Sequence, residues 1–276
     1  MRLPLAALTL TTTLVATTLV AAAFVTAAPA RAAGDGEHAP AQKWSFDGVL
    51  GSFDRKQLQR GLKVYTAVCA TCHGLRHVAY RNLVDLGLTP SEAKAVAATK
   101  EVTEIGDDGQ PKTRKADLKD RFVSPFPNVQ AAAASNNGKA PPDLSLIVKA
   151  REDGSNYVFG LLTGYAEPPK DWKDEDGKPR TLESGQNYNK YFPGHVIAMV
   201  PPLTGEDQGK DQVGYGKDDP KPTVEQMARD VTAFLTWASE PSMEQRKRTG
   251  IKVILFMIIF TGVFFVVKRR VWRNVH

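Results

Sequence analysis

The chain has 276 residues, 42% hydrophobic and 24% charged, and its formal charge of +6 at first suggests a nucleic-acid or anionic-lipid ligand. Position removes that suggestion: residues 33–243 carry 26 Lys/Arg against 29 Asp/Glu, a net of −3, so the positive excess belongs to the two ends. Only two cysteines are present, and His38, His77, His195 and His276 lack finger-like spacing, which excludes a zinc site of the usual kind.

Residues 1–32 begin with Arg2, continue through an Ala/Leu/Thr/Val-rich stretch and end in Ala30-Arg31-Ala32, the pattern of a cleaved export signal. A mitochondrial presequence would be richer in Arg and Ser; this segment has only Arg2 and Arg31 and no Ser before Ser45, which points to the bacterial periplasm. Its apolar part is longer than a usual signal core, so an uncleaved amino-terminal anchor is the alternative. The 211 residues that follow, 33–243, suffice for one domain with a sizeable core.

A first helix is expected over residues 54–68, with Leu58, Leu62 and Tyr65 on one stripe and Ser52 or Asp54 as its cap. Gly61 is unfavourable within it and implies close approach by another element. The helix runs into Cys69-Ala70-Thr71-Cys72-His73, a C-x-x-C-H attachment signature for c-type haem. Three positions apart on a helix, the two thiols share a face and can each form a thioether to a haem vinyl group, with His73 as proximal iron ligand. A thioredoxin-type dithiol is the rival reading, but it has no need of a histidine beside its second cysteine.

Residues 90–121, which include Gly106-Asp107-Asp108-Gly109, and residues 167–190 are polar or rich in charge, Pro and Gly; both read as long insertions. Acidic residues gather at Asp171-Asp174-Glu175-Asp176, Glu206-Asp207-Asp211 and Asp218-Asp219. Each cluster reads first as a solvated loop and second as a surface that steers a basic partner. Between them the loop 195–203 carries Met199 among prolines that disfavour helix and central strand. Of the five methionines, Met1 starts the signal, Met227 sits on the apolar face of a later helix, Met243 borders an apolar span and Met257 lies within it. Met199 is therefore the expected distal ligand, with His195 as the rival.

A second helix over residues 223–239 places Val224, Met227, Val231, Phe234, Leu235 and Ala238 at helical spacing, and is expected to pack on the first. Residues 251–267 are apolar apart from Lys252. At ~1.5 Å per residue they span about 25 Å, slightly under a bilayer core. Flanked by Arg246-Lys247-Arg248 and Lys268-Arg269-Arg270, the span reads as a carboxy-terminal anchor. The organisation expected is thus an export signal at 1–32, a periplasmic haem domain at 33–243, and an anchor with a short cytoplasmic tail at 244–276, in the bacterial inner membrane.

The order of several segments is similar to that of the cytochrome c1 family. The matching runs are Trp44-Ser45-Phe46-Asp47-Gly48, Arg60-Gly61-Leu62-Lys63-Val64-Tyr65, the haem motif, Pro125-Phe126-Pro127-Asn128 and Asn136-Asn137-Gly138-Lys139-Ala140-Pro141-Pro142-Asp143-Leu144-Ser145. They continue through Tyr157-Val158-Phe159, Leu161-Leu162-Thr163-Gly164-Tyr165, the Met199 loop, Trp237-Ala238-Ser239-Glu240-Pro241 and the anchor. The resemblance implies an all-α, class I cytochrome c-like domain with long loop insertions, one covalent haem c and one carboxy-terminal transmembrane helix. It also implies Met199 as distal ligand, Arg151 facing a haem propionate, and Tyr65, Tyr157, Pro141 and Pro142 lining the pocket.

Physical reasons support some of these roles: a buried propionate suits a guanidinium fork, and a proline-rich turn can offer a free carbonyl to the other ring nitrogen of His73. Without the resemblance, Arg151 reads as a surface ion pair and the tyrosines as core packing. Val200 departs from the Ala or Pro that often follows the ligand methionine in the family. The two-cysteine count also forbids the loop-stapling disulfide of some bacterial members.

The implied role is a redox subunit of the dimeric, multi-subunit quinol:cytochrome c oxidoreductase (cytochrome bc1) complex. It would take single electrons from a Rieske iron-sulfur protein to a soluble or membrane-anchored cytochrome c, with quinol oxidised on cytochrome b. The competing readings are a membrane-anchored monohaem cytochrome of another electron-transfer chain and a periplasmic thiol-disulfide oxidoreductase.

Overall fold

The computed structural model describes residues 37–173, 177–210 and 212–274. The export-signal reading of residues 1–32, the acids Asp174, Glu175, Asp176 and Asp211, and His276 lie outside the described residues.

Helix α1, Arg55–Ala67, is opened by Asp54, whose carboxylate accepts from the amides of Lys56 and Gln57. Of the two candidate caps, Asp54 is the one used. The apolar stripe buries Leu58, Leu62 and Tyr65, as expected from its spacing. The helix at Val224–Ser239, begun by a Thr223 hydroxyl that accepts from the Gln226 amide at 3.1 Å, lies across it. Gly61 explains how close the two come. A Cβ built there would lie 2.2 Å from the Asp230 carbonyl oxygen and 2.6 Å from the Phe234 Cβ, so only hydrogen fits. Beside this crossing Arg60 grips Asp230, with Nε–Oδ2 at 2.8 Å and Nη2–Oδ1 at 3.2 Å. Tyr215 and Gln226 complete the fully buried carboxylate at 2.9 Å each. Met227 is wholly buried among the core side chains, which accounts for it as packing.

The first insertion contains more order than its polarity suggests. A capping box of Thr89 and Glu92 starts α2, Pro90–Ala97. It is followed by an antiparallel ribbon of β1, Glu101–Ile105, and β2, Pro111–Lys115, in register from Glu101 opposite Lys115 to Ile105 opposite Pro111. The turn uses Gly109 at φ +72°. Arg114 joins Glu104 at 2.7 Å and Asp120 at 2.6 Å, tying the ribbon to the chain that returns to the core. Short helices α3, Val129–Ala134, and α4, Gly154–Thr163, follow, the latter packed against the Val224–Ser239 helix. The second insertion ends in a two-pair ribbon of β3, Asn187–Tyr188, and β4, Val196–Ile197. The Val224–Ser239 helix is α5.

The fold is therefore mainly helical, its strands confined to the first insertion and to the pairing of the second insertion's end with the Met199 loop. Its last helix, α6, Met243–Val271, contains the expected apolar span. Among the described residues it is the one helix long and apolar enough to cross a membrane. Its first turn belongs to the domain packing. Met243 is buried, Glu244 accepts from the Phe53 amide at 2.7 Å and from Arg55 at 2.6 Å, and Lys247 donates to the carbonyls of Phe46 and Gly51.

Candidate haem site

Helix α1 stops at Ala67, and the C-x-x-C-H residues form one tighter 3₁₀ turn, Cys69–Thr71. The amides of Cys72 and His73 both donate to the Cys69 carbonyl, at 3.1 and 2.8 Å. The thiols thus lie not on the helix that precedes them but on the turn after it, where residues i and i+3 eclipse and share a face. No disulfide joins them. Burial, reinforced by the neighbouring Cys72, pushes the Cys69 thiol up to about 12. A dithiol oxidoreductase needs the opposite, an attacking thiol lowered toward neutrality.

His73 is half-buried, and its Nδ1 lies 2.7 Å from the Pro142 carbonyl. A carbonyl can only accept, so Nδ1 carries the proton and Nε2 keeps its lone pair for a metal. Burial lowers the imidazole below its ordinary value against the opposing Pro142 bond, which favours this neutral form. The backbone that follows His73 is bonded to residues 143–145. Leu144 N donates to Gly74 O at 2.9 Å, Arg76 N to Asp143 at 2.9 Å, and His77 N to the buried Ser145 hydroxyl at 3.0 Å. Tyr65, 1% exposed, donates its hydroxyl to the His73 carbonyl at 3.1 Å. The sequence reading named Pro142 but missed Asp143 and Ser145. Their signal was the Asp-x-Ser pattern, in which Asp143 accepts from the Ser145 amide at 3.0 Å.

Met199 is half-buried two residues beyond β4. Its carbonyl accepts from the Tyr165 hydroxyl at 3.0 Å and from Asn187 Nδ2 at 3.4 Å, two positioning contacts that the sequence did not disclose. The rival His195 is occupied in loop packing. It takes φ +62°, its Nδ1 lies 3.3 Å from the Asn189 carbonyl, and its ring stacks on Tyr188 at 5.4 Å. Arg151 is exposed and interacts with Tyr157, whose phenol is raised by burial against the opposing effect of the guanidinium. Pro141 adjoins Pro142 at the edge of the same segment.

The acidic clusters prove partly structural: Asp219 pairs with Arg60 at 3.5 Å and Lys63 at 3.9 Å, and Asp207 accepts from the Val224 amide that opens α5. Among the described residues no three His, Cys, Asp or Glu side chains converge as a metal site. The donor set itself is the fit for haem c: two thiols on one eclipsed turn, an imidazole with Nε2 free and Nδ1 engaged, and a thioether in a proline-flanked loop.

The profile described as the Cytochrome C1 family matches residues 44–275. The chain is 44% identical over 255 residues to "Cytochrome c1" of Rhodospirillum rubrum, covering 89% of this chain and 92% of that one. It is 45% identical over 242 residues to "Cytochrome b-c1 complex catalytic subunit, mitochondrial" of Candida albicans, covering 87% and 80%. It is also 43% identical over 245 residues to "Cytochrome c1, heme protein, mitochondrial" of Saccharomyces cerevisiae, covering 88% and 75%.

Proposed function

Since this chain belongs to the cytochrome c1 family, we propose that it serves as the haem-bearing subunit of a quinol:cytochrome c oxidoreductase. In that role it takes single electrons from a Rieske iron-sulfur protein and delivers them to a soluble or membrane-anchored cytochrome c. It is an electron-transfer protein that carries haem c, in the company of cytochrome b. Quinol is oxidised on the cytochrome b subunit of the dimeric assembly, so this chain is part of an enzyme without holding its substrate. Residues 1–32 are the export signal, residues 33–243 the periplasmic haem domain, and residues 244–276 the anchor and cytoplasmic tail in a bacterial inner membrane.

The observation that carries this reading is the C-x-x-C-H turn with His73 Nδ1 engaged by Pro142. Haem c, when bound, supplies a one-electron iron couple. Cys69 and Cys72 would hold it covalently, His73 would offer Nε2 to the iron with its ring oriented by the Pro142 carbonyl, and Met199 would offer its thioether. Arg151 offers a guanidinium to a propionate, and Tyr65, Tyr157, Pro141 and Pro142 keep water from the iron. No bond is made or broken in a substrate here; the residues fix a potential and a geometry.

The test is purification of the tagged full chain from native membranes in mild detergent, followed by identification of its companions and assay of quinol-dependent cytochrome c reduction. Recovery with cytochrome b and a Rieske protein, with reductase activity, supports the assignment. Covalent haem on a chain that arrives alone, or with a terminal reductase, overturns it in favour of another membrane-anchored electron carrier.

A further inference from the structure

The turn at residues 47–51 displays Val49 at 68% and Leu50 at 85% exposure, the latter the most exposed large apolar side chain on the domain outside α6. Single exposed apolar residues are ordinary; the surroundings of this pair are not. Both ends of the turn are fixed by buried aromatics: Trp44 stacks on Phe46 at 5.4 Å, and Phe46 meets Phe53 at 5.2 Å. Backbone bonds from Asp47 N to Trp44 O at 3.1 Å and from Ser52 N to Ser45 O at 3.0 Å close the loop. Gly48 turns it at φ +69°, and at Gly51 a Cβ would fall 2.0 Å from the Asp47 carbonyl. A loop so constrained cannot fold its tip back onto the domain.

The same loop is strapped to the root of the membrane helix. Lys247 Nζ donates to Phe46 O at 2.6 Å and to Gly51 O at 3.2 Å, and Glu244 accepts from Phe53 N. Lys247 precedes the apolar run at Ile251 by four residues, about 6 Å along the helix. The headgroup layer on each side of a bilayer is itself ~5–8 Å deep. Arg248, exposed beside Lys247, offers a guanidinium group at the height of lipid phosphates, while its neighbour Arg246 is engaged by Glu240 at 2.6 Å. The exposed Ile105 and Val129, by contrast, sit on a ribbon turn and at the start of α3, with no bond to α6.

We propose that this turn is a second membrane contact, in which Val49 and Leu50 enter the headgroup layer of the bilayer beside the anchor while Arg248 meets lipid phosphate. The inference rests on α6 being the membrane anchor. A single transmembrane helix leaves a domain free to tilt; a second contact beside it sets the tilt.

The test uses the full-length, haem-loaded chain in vesicles of phosphatidylcholine and phosphatidylglycerol. The two native cysteines are taken up by haem, so Leu50→Cys provides a unique thiol for an environment-sensitive fluorophore, and at an exposed position it leaves folding intact. The same label at Ile105→Cys and Ile254→Cys marks the water-facing and bilayer-facing limits. The expected result is a blue-shifted Leu50 label quenched by doxyl-bearing lipid several-fold more than the Ile105 label. Quenching no greater than at Ile105, with Ile254 fully quenched, overturns the proposal and leaves the anchor intact. Loss of quenching at Ile254 overturns the anchor and the proposal together. In the native complex, a blue-shifted Leu50 label that lipid fails to quench overturns the bilayer as occupant and assigns the turn to a neighbouring subunit.

Discussion

The segment around His73 and the loop around Met199, which carry the two proposed iron ligands, are held in place by different means. His73 is held through its own amide to Cys69, its ring to Pro142 and its carbonyl from Tyr65, while Gly74, Arg76 and His77 are bonded to residues 143–145. Of those partners Tyr65, Leu144 and Ser145 are buried. Met199 hangs beyond a two-pair ribbon whose closing loop contains His195 at positive φ, and only Tyr165 and Asn187 secure its carbonyl. The proposed proximal donor is thus held at more points than the proposed distal one, and the Met199 side is expected to open first under stress.

Replacement of Met199 by Lys tests the weakly fastened side most severely. It should lower the midpoint potential by on the order of 100 mV or more, within the ~0.8 V span that axial ligands control. Redox titration with an unchanged midpoint would remove Met199 from the ligand set and return attention to His195. The next largest effect is expected in the core that supports His73. Asp230→Ala leaves Arg60 without its buried partner and should cost about 3–5 kcal/mol in denaturant unfolding of the haem-loaded protein; a loss well under 1 kcal/mol would mean water replaces the carboxylate.

A smaller change sharpens the contrast. Tyr165→Phe removes one donor to the Met199 carbonyl, worth about 0.5–1.5 kcal/mol. The iron–thioether absorption should therefore vanish at lower denaturant while the global midpoint stays near wild type; equal shifts of both would show the two sides open together. The smallest effect is a dependence on pH. Burial pushes Asp143 up, but hydrogen bonds from Ser145 and the Arg76 amide outweigh it and hold the carboxyl below its ordinary value. A folded-state value below the unfolded one gives stability that is present above about pH 4 and lost as pH falls through the folded value. Asp143→Asn should flatten that part of the acid-unfolding curve, and an unaltered curve would assign the acid sensitivity to other groups.

The two sides also differ in how far the sequence revealed them. The stripe of Leu58, Leu62 and Tyr65, the close approach at Gly61 and the packing of α5 on α1 were legible because helical periodicity records which face is buried. The carbonyl for His73 was legible because a proline-rich turn has acceptors to spare. The grip of Arg60 on Asp230 was not, since it joins residues 170 apart and leaves no local pattern. Nor was the ribbon of β1 and β2, whose strands are polar on both faces and lack the alternation that marks a half-buried strand. The bonds of Tyr165 and Asn187 to the Met199 carbonyl were hidden for a different reason: the donors lie 34 and 12 residues away, and nothing in either donor's surroundings marks that carbonyl as its partner.

The continuity of α6 has a mechanical consequence. A helix of 29 residues, roughly 44 Å long at 1.5 Å per residue, passes without a break from a first turn bolted to the domain by Glu244 and Lys247 into its apolar stretch. With α6 as the membrane anchor, such a stalk sets how far the proposed haem turn stands from the bilayer, and the turn at residues 47–51 would set the tilt about it.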